Sequence, residues 1–333
     1  MSHLRMAQFG TGHGHAAGKL HAMLNHQDVE VAGVYEPDPE RRLLLSRQDG
    51  PYSDVHWFEE VGEMLDDASI VAIASEGRND ESLDQTEQIV ACGKHAWYDK
   101  PAGDNWTQWQ KVVSMARDQD LQVQMGYMFR YHDGFQKIAN WAKSGLLGSI
   151  FSVRAHMSTG LPKEGREVIS VHKGGIFYDL AGHMLDQVVW LLGRPTKVTS
   201  FFHNDGGMVP QFMDNTLGVF EFDHAIAFVD IAAMEPGPTA RRFEVYGTEG
   251  SAIIIEPFEP GECVRLVLTE ARGGYSAGEQ IINPEIRGRQ DMYNLELNSF
   301  LAAIRKTGEP DRTLDHELLV QESLLRATGG IVD

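Results

Sequence analysis

Short apolar runs alternate with segments of helical periodicity over roughly the first third of the chain. LRMAQFG, VEVAGVYE, SIVAIAS, HAWYD and LQVQMGY each predict a strand, and AGKLHAMLNH and QWQKVVSMARDQD place apolar residues at helical spacing. SIVAIAS is almost continuously apolar, which is typical of a strand covered on both faces. The alternation predicts an α/β class, with a doubly wound parallel sheet of the Rossmann type over residues 1–125.

The pattern changes in the remainder of the chain, residues 126–333. Long stretches there alternate apolar and polar residues, as half-exposed strands do: GSIFSVRAHMST, LGVFEFDHAIAFVDIAAM, RRFEVYGTEGSAIII and CVRLVLTEA. FYDLAGHMLDQVVWLLG predicts a helix that ends near Gly193 and Pro195, and two further helical segments close the chain. We expect an α+β domain with a large open, mostly antiparallel sheet, whose C-terminal helices could pack back on the first domain.

Composition excludes several classes of partner. The chain has 333 residues and a formal net charge of −19, which argues against nucleic acid and anionic membranes as nonspecific partners. It has 2 cysteines in no C-x-x-C arrangement, so we expect no metal site and a reducing, cytoplasmic location. We expect no secretory leader, because the N-terminal residues run straight into a predicted strand, and no apolar run approaches the length of a membrane span.

The stretch GTGHGHAAG follows the first predicted strand and resembles a dinucleotide fingerprint with one glycine displaced. Gly10 and Gly12 occupy the positions that form the turn and let the backbone approach a pyrophosphate. The third glycine position is His15, and an extra glycine stands at Gly14. His13 or His15 could approach the pyrophosphate. By itself the stretch is equally compatible with a glycine-rich turn that binds nothing.

Glu36 ends the second predicted strand, where dinucleotide-binding folds place the acid that binds the adenosine ribose. A carboxylate there would repel a 2′-phosphate, so NAD is favoured over NADP. Arg41 and Arg42 follow closely and could serve such a phosphate, which leaves NADP open.

Two further stretches carry candidate chemistry. Lys100, before Pro101, ends a predicted strand at the sheet edge where ligands bind, although a surface lysine is the commoner case. Asp179 and His183 share one helix face with Asp186 and Trp190. Histidine suits proton transfer near neutral pH, and a solvated helix edge is the alternative.

Together these motifs resemble the Gfo/Idh/MocA family of oxidoreductases, along essentially the whole chain. GTGHGHA is similar to the family's cofactor loop, and VYEPDPERR to its second-strand acid motif. GKHAWYDKP resembles the signature G-K-H-x-x-x-E-K-P, with Asp99 in place of glutamate. KGGIFYDLAGHMLDQ resembles G-G-x-x-x-D-x-G-x-H-x-x-D, and GYMFRYHDGF and VYGTEGSAII are similar to further family segments.

The resemblance implies a catalytic group of Lys100, Asp179 and His183. His183 would be the general base that takes the hydroxyl proton as hydride leaves for the nicotinamide. Lys100 would polarise the reacting oxygen and touch the cofactor. Asp179 would hold a neighbouring substrate hydroxyl and set the charge state of the lysine.

The resemblance also assigns binding residues. The expected cofactor-binding residues are Gly10, Gly12, His13, Gly14, His15, Glu36, Ser75, Glu76 and Lys100. The expected substrate-binding residues are Asp80, Arg130, His172, Asp179 and His183. The third-strand loop departs from the family's T-P-N-x-x-H, since Glu76 replaces the proline and Asp80 the histidine.

The leading hypothesis is therefore an NAD-dependent dehydrogenase acting on a hydroxyl of a sugar, cyclic polyol or sugar derivative. The alternatives are a glycoside hydrolase or lyase that uses tightly held NAD transiently, and a non-catalytic NAD-binding protein. The uncovered face of the second sheet predicts a homodimer or homotetramer, as in the family.

Overall fold

The computed structural model describes residues 3–331 and contains two compact units. The first unit consists of the chain up to Gly126 together with Arg289–Leu318, and the second of Tyr127–Gly288 together with the chain from Leu319 onward. The division falls one residue after the predicted boundary, and it assigns the whole of the first C-terminal helix segment, with the start of the second, to the N-terminal unit.

The first unit is built around a parallel sheet of five strands in the order β2-β1-β3-β4-β5. Its strands are β1 (Leu4–Phe9), β2 (Val29–Tyr35), β3 (Ala72–Ser75), β4 (His95–Tyr98) and β5 (Val123–Met125). Its helices are α1 (Ala16–Leu24), α2 (Pro39–Leu45), α3 (Val61–Leu65), α4 (Ser82–Ala91), α5 (Trp106–Asp118) and α9 (Arg289–Ile304). The prediction of a doubly wound parallel sheet is confirmed.

The order of the strands reverses between β1 and β3, which pair in parallel as neighbours. In open α/β sheets, ligands bind at the carboxyl ends of the strands beside such a switch point. The loop that begins at Gly10 and the loop that begins at Glu76 both leave the sheet there. All four residues of β3 are buried, as its apolar run predicts.

The second unit contains a sheet of eight strands in the order β13-β12-β11-β10-β6-β9-β8-β7. Its strands are β6 (Ile150–His156), β7 (Lys197–His203), β8 (Asn215–Glu221), β9 (Ile226–Ala232), β10 (Arg242–Gly247), β11 (Gly250–Ile254), β12 (Val264–Leu268) and β13 (Gly278–Ile282). Only β6 and β9 pair in parallel among the neighbours of this sheet. The expectation of a mostly antiparallel sheet is confirmed.

Helices of the second unit are α6 (Asp133–Lys143), α7 (Lys163–Ile169) and α8 (Ile176–Leu192). A last helix, α10 (Leu314–Thr328), runs across the division between the two units. The predicted helix FYDLAGHMLDQVVWLLG corresponds to α8, whereas α6, α7, β7 and β13 were not predicted. Strands β7 and β13 mix polar and apolar residues because they are the two edge strands of the sheet.

Strands β6, β9 and β10 show why one sheet face forms the core. One valine on each of these strands is fully buried: Val153 on β6, Val229 on β9 and Val245 on β10. The residues directly before and after each valine are half-buried or exposed. Apolar side chains at every second position therefore cover one face only. No helix within residues 3–331 has the length and hydropathy needed to cross a membrane.

Candidate functional site: a dinucleotide cradle and a catalytic helix

Two glycines of the loop after β1 allow it to approach the loop after β3. Gly10 has a φ of +78°, and a Cβ added to it would lie 2.7 Å from the Cα and N of Gly77. A Cβ added to Gly12 would lie 2.6 Å from Cγ and 2.8 Å from the backbone N of Arg78. Only glycine fits at both positions, so these two loops come together at the switch point where a phosphate would bind.

The displaced glycine has a different environment. A Cβ added to Gly14 would meet no atom within 4 Å, so no steric requirement for glycine exists there. The close helix approach is made instead by Gly18, where a Cβ would lie 2.6 Å from the Tyr293 ring of α9. The His15 ring also packs on Tyr293, with 5.4 Å between centroids. The sequence carried no signal for this contact, because α9 is remote along the chain.

Glu36 lies at the end of β2, and its side chain faces a small cavity. It accepts a hydrogen bond from Thr11 Oγ1 at 2.5 Å and one from the backbone N–H of Asp38 at 3.0 Å. The cavity measures about 200 Å³ and is lined by Gly12, Glu36, Pro37, Asp38, Arg41, Arg78 and Glu81. A buried carboxylate beside two glycine-dependent loops fits the adenosine ribose and pyrophosphate of a nicotinamide dinucleotide.

The two candidate arginines after β2 have different partners. Arg41 donates to the carbonyl oxygen of Thr11 at 2.7 Å and to Thr11 Oγ1 at 2.8 Å, and its Nε lies 3.9 Å from Glu36. Arg42 instead forms an ion pair with Glu59. Of these two arginines, only Arg41 lines the cavity beside Glu36. The structure therefore distinguishes two residues that the sequence could not.

The loop after β3 contributes Glu76, and the loop after β4 contributes Asp99. Both are buried, and both contact the ammonium of Lys19 on α1, at 3.0 Å for Glu76 Oε1 and 3.2 Å for Asp99 Oδ2. His15 Nδ1 lies 3.0 Å from Asp99 Oδ2, and His13 Nδ1 lies 3.3 Å from the same oxygen. The cofactor loop and the β4 loop are therefore joined through one carboxylate.

Burial and charge perturb the pKa values of this cluster in opposite directions. Burial raises the pKa of Glu76 well above its ordinary range, although Lys19 opposes the shift. Burial also acts to raise the pKa of Asp99, but His13, His15 and Lys19 outweigh it and hold that pKa well below its ordinary range. Burial lowers the pKa of His15 to about 4 despite Asp99. At neutral pH Asp99 is therefore ionised and His15 is neutral.

Lys100 follows Asp99 at the carboxyl end of β4 and is 4 % exposed. Its backbone N–H donates to Asp99 Oδ1 at 2.7 Å. The surface-lysine interpretation is therefore wrong. Ser75 is also buried, and its hydroxyl accepts a hydrogen bond from Thr86 Oγ1 at 2.9 Å. Asp80 is half-exposed and pairs with Arg78, at 3.1 Å from its Nε.

The second unit places Asp179 and His183 one turn apart on α8. His183 is 2 % exposed and packs edge-on against Phe129, with 5.1 Å between ring centroids, and against Tyr127, with 6.5 Å. Asp186 on the same face is fully buried, which contradicts a solvated helix edge. His172 lies before the helix, and its ring stacks on Tyr178 with 4.4 Å between centroids.

Arg130 is 1 % exposed and lies within the second unit. Its guanidinium pairs with Asp186, with Nε 3.0 Å from Oδ2, and covers the Trp190 ring at 3.9 Å from its centroid. Arg130 lies in a short 3₁₀ turn, Met128–Tyr131, and thereby anchors α8 to that turn. Its substrate-binding role, like those of Asp80 and His172, stays a prediction.

Of the residues in the described part of the chain, His13, His15 and Asp99 come close enough together to surround a metal ion. The ammonium of Lys19 already supplies positive charge to Asp99. A second cation would have to bind beside this ammonium in a buried region, which Coulomb repulsion disfavours. We therefore interpret these three residues as part of an internal charge network.

Comparison with known proteins agrees with this geometry. Residues 4–127 match the family model described as "Oxidoreductase family, NAD-binding Rossmann fold", and residues 135–253 match the "GFO/IDH/MocA C-terminal domain". The rhizopine catabolism protein MocA of Rhizobium meliloti is 24% identical over 76% of this chain and 78% of its own. The 1,5-anhydro-D-fructose reductase of Ensifer adhaerens is 22% identical over 85% of this chain and 83% of its own.

Among solved structures, a levoglucosan dehydrogenase in complex with NADH and levoglucosan has the same fold. Its TM-score is 0.83, with 16% identity over 98% of each chain. The two family models together cover both the dinucleotide cradle and the helix that carries His183. The chain accordingly belongs to the Gfo/Idh/MocA family of oxidoreductases, whose N-terminal domain is an NAD-binding Rossmann fold.

Proposed function

We propose that this protein is an NAD-dependent dehydrogenase or reductase acting on a hydroxyl or carbonyl group of a sugar, cyclic polyol or sugar derivative. The observation that carries the proposal is the cavity of about 200 Å³ at the switch point, where Gly12 and the buried carboxylate of Glu36 lie as a dinucleotide's pyrophosphate and adenosine ribose require. A bound nicotinamide ring supplies the hydride acceptor or donor. The substrate class is supported by the relatives, which include an anhydrofructose reductase and a levoglucosan dehydrogenase.

We assign proton transfer to His183, polarisation of the reacting oxygen to Lys100 and the hold on a neighbouring hydroxyl to Asp179. An alcohol has a very high pKa, so its oxidation needs a positioned base, and histidine suits that task near neutral pH. Burial of His183 and Lys100 excludes water that would compete for the same hydrogen bonds.

We propose NAD in preference to NADP because Glu36 is buried and faces the ribose cavity. Carboxylate oxygens accept hydrogen bonds from ribose hydroxyls and repel a 2′-phosphate. Arg41 at the rim is the residue that could moderate this preference.

We also propose that the protein is a cytoplasmic homo-oligomer that pairs through the half-exposed face of the second sheet. Phe201 lies opposite Leu217, and Val219 lies opposite Phe228, on neighbouring strands of that face. Such a row of apolar side chains favours contact with a second copy. Cys92 and Cys263 are both free, which supports a reducing compartment.

The test is NADH absorbance with a panel of inositols, aldoses and anhydrosugars, together with calorimetric NAD binding. We expect His183→Ala and Lys100→Ala each to lower kcat by about 10²–10⁴-fold while NAD affinity stays near that of the wild type. His203→Ala and Lys111→Ala, both at exposed positions, are the matched controls.

Absence of both NAD binding and turnover would contradict the proposal. Turnover without net NADH formation, with isotope exchange at the oxidised carbon, would instead indicate the NAD-assisted hydrolase or lyase. Tight NAD binding without turnover on any substrate would indicate a binding protein.

A further inference from the structure

Lys19 is a buried lysine that the proposed chemistry does not use. Its side chain is 0% exposed, although helix α1, on which it lies, borders the cofactor loop. Its ammonium lies 4.5 Å from the centroid of the Trp97 ring and contacts the carboxylates of Glu76 and Asp99. A lysine is almost never fully buried unless it is paired, so this position requires its two acidic partners.

Asp99 is the residue through which Lys19 reaches the cofactor loop. The same carboxylate contacts Lys19, both loop histidines and the backbone N–H of Lys100. It is also packed tightly, since a Cβ added to Gly126 would lie 2.6 Å from Asp99 Oδ1. Any movement of Asp99 would therefore move the histidine-bearing loop and the lysine-bearing loop together.

Two of the positions at which this chain departs from the family pattern meet at Lys19. Glu76 stands where the family has proline, and Asp99 stands where it has glutamate. A carboxyl oxygen of Glu76 and one of Asp99 each lie within 3.2 Å of the Lys19 ammonium. A buried ion pair is costly to break, because removal of one partner leaves the other charge uncompensated.

We propose that Lys19 is a positioning residue: its buried ammonium holds Asp99 in place, and Asp99 in turn fixes the cofactor loop and Lys100 in the geometry that binds nicotinamide dinucleotide. This inference rests on the proposed function. It adds a residue that touches neither substrate nor cofactor and whose charge sets dinucleotide affinity.

Other charged groups face this cluster from every element packed around it. They are His13 and His15 from the loop after β1, Glu76 from the loop after β3, Lys100 from the loop after β4, Tyr293 and Glu296 from α9, and Arg312 beyond Glu296. Without Lys19, the uncompensated charge of buried Asp99 favours the uptake of a proton by this cluster.

The experiment is a double-mutant cycle of Lys19→Met, Asp99→Asn and the two combined, in the full-length protein. Calorimetry measures the dissociation constant for NAD at pH 6, 7 and 8, and a thermal scan measures the unfolding midpoint. Lys94→Met is the matched control. Lys94 is also buried in the first unit, but its ammonium donates to the carbonyl oxygens of Asp67 and Ile70, at 2.7 Å each, before β3 and away from the cradle.

We expect Lys19→Met to weaken NAD binding about tenfold or more at pH 8 and less at pH 6. At the lower pH, a proton taken up by the cluster around Asp99 replaces the positive charge of the missing ammonium. The combined variant should bind NAD no more weakly than Asp99→Asn alone and should lose the pH dependence, because Lys19 acts through Asp99. Contacting residues in such cycles typically couple by about 2-fold to 100-fold. Lys94→Met should lower the midpoint while leaving NAD affinity and its pH profile unchanged.

Wild-type affinity in Lys19→Met, or losses that merely add in the combined variant, would overturn the inference. So would an equal pH profile in Lys19→Met and Lys94→Met. If Lys19→Met does not fold, a folded combined variant that binds NAD as Asp99→Asn does supports the inference, and one that binds NAD more weakly than Asp99→Asn contradicts it. Absence of NAD binding in the wild type contradicts the proposed function itself.

Discussion

Alanine substitutions in the cofactor loop should separate glycines that the fold requires from one that it does not. Gly10 combines a φ of +78° with a Cβ position 2.7 Å from the backbone of Gly77. Gly12 lacks the unusual φ, but its Cβ would lie 2.8 Å from the backbone N of Arg78. Gly14 has open space around it. Three chemically identical substitutions within one loop therefore meet three different environments.

The left-handed conformation alone costs a non-glycine residue about 1–2 kcal/mol. In a domain of this size, 1 kcal/mol shifts the melting temperature by roughly 2–4 °C, so Gly10→Ala should lower it by about 2–8 °C before the steric conflict is added. Gly12→Ala should cost about 1–3 kcal/mol through overpacking against Arg78. Gly14→Ala should leave stability unchanged or raise it by about 0.4–1 kcal/mol, because alanine restricts the unfolded chain.

The assay is differential scanning calorimetry of the three variants without ligand, followed by calorimetric NAD titration. We expect NAD affinity to fall in Gly10→Ala and Gly12→Ala, since the separation of the two loops disturbs the phosphate cradle, and to persist in Gly14→Ala. Equal melting temperatures for Gly10→Ala and Gly14→Ala would refute this reasoning, because the two positions would then not differ in steric demand.

Three other measurements test further features. Burial raises the pKa of Glu296 from 4.5 to about 7, so its contribution to stability is lost as pH rises through that range. As pH rises from 5 to 8, the free energy of unfolding of Glu296→Gln should therefore increase relative to that of the wild type by up to about 3 kcal/mol, since each unit of pKa shift corresponds to about 1.4 kcal/mol. A difference between the two proteins that stays constant with pH in denaturant titrations would contradict this. Phe228→Glu should reduce the solution mass measured by light scattering to that of a monomer, and an unchanged mass would exclude this sheet face as the interface. Arg41→Ala should weaken NADP binding relative to NAD in parallel titrations, whereas Arg42→Ala, which loses only its pair with Glu59, should not.

The sequence patterns predicted the classes of both sheets, and the reasons are local. Continuous apolar runs such as SIVAIAS indicate a parallel strand covered on both faces, and β3 is buried throughout. Alternating runs indicate a sheet with one covered face, as β9 has. The pairing of β6 with β9 in parallel has no local signal, because it joins strands that are distant along the chain.

The site was predicted in part. Strand ends and glycine spacing pointed to Gly10, Gly12, Glu36 and Lys100, and the structure places all four at the carboxyl ends of strands in the first unit. Lys19 escaped notice because it has helical spacing and no motif. Its importance is visible only once α1, β3 and β4 bring it against two carboxylates.

The amino-acid sequence by itself determined the class of both sheets, where the chain can turn sharply and which residue types stand at strand ends. These properties depend on periodicity and on backbone sterics within a few residues. The tertiary structure alone decided that Gly18 is the glycine on which α9 packs, that Arg42 is committed to Glu59 and that Lys19 neutralises Asp99. Those outcomes depend on burial and on charges brought together from distant parts of the chain, and neither is encoded in local spacing.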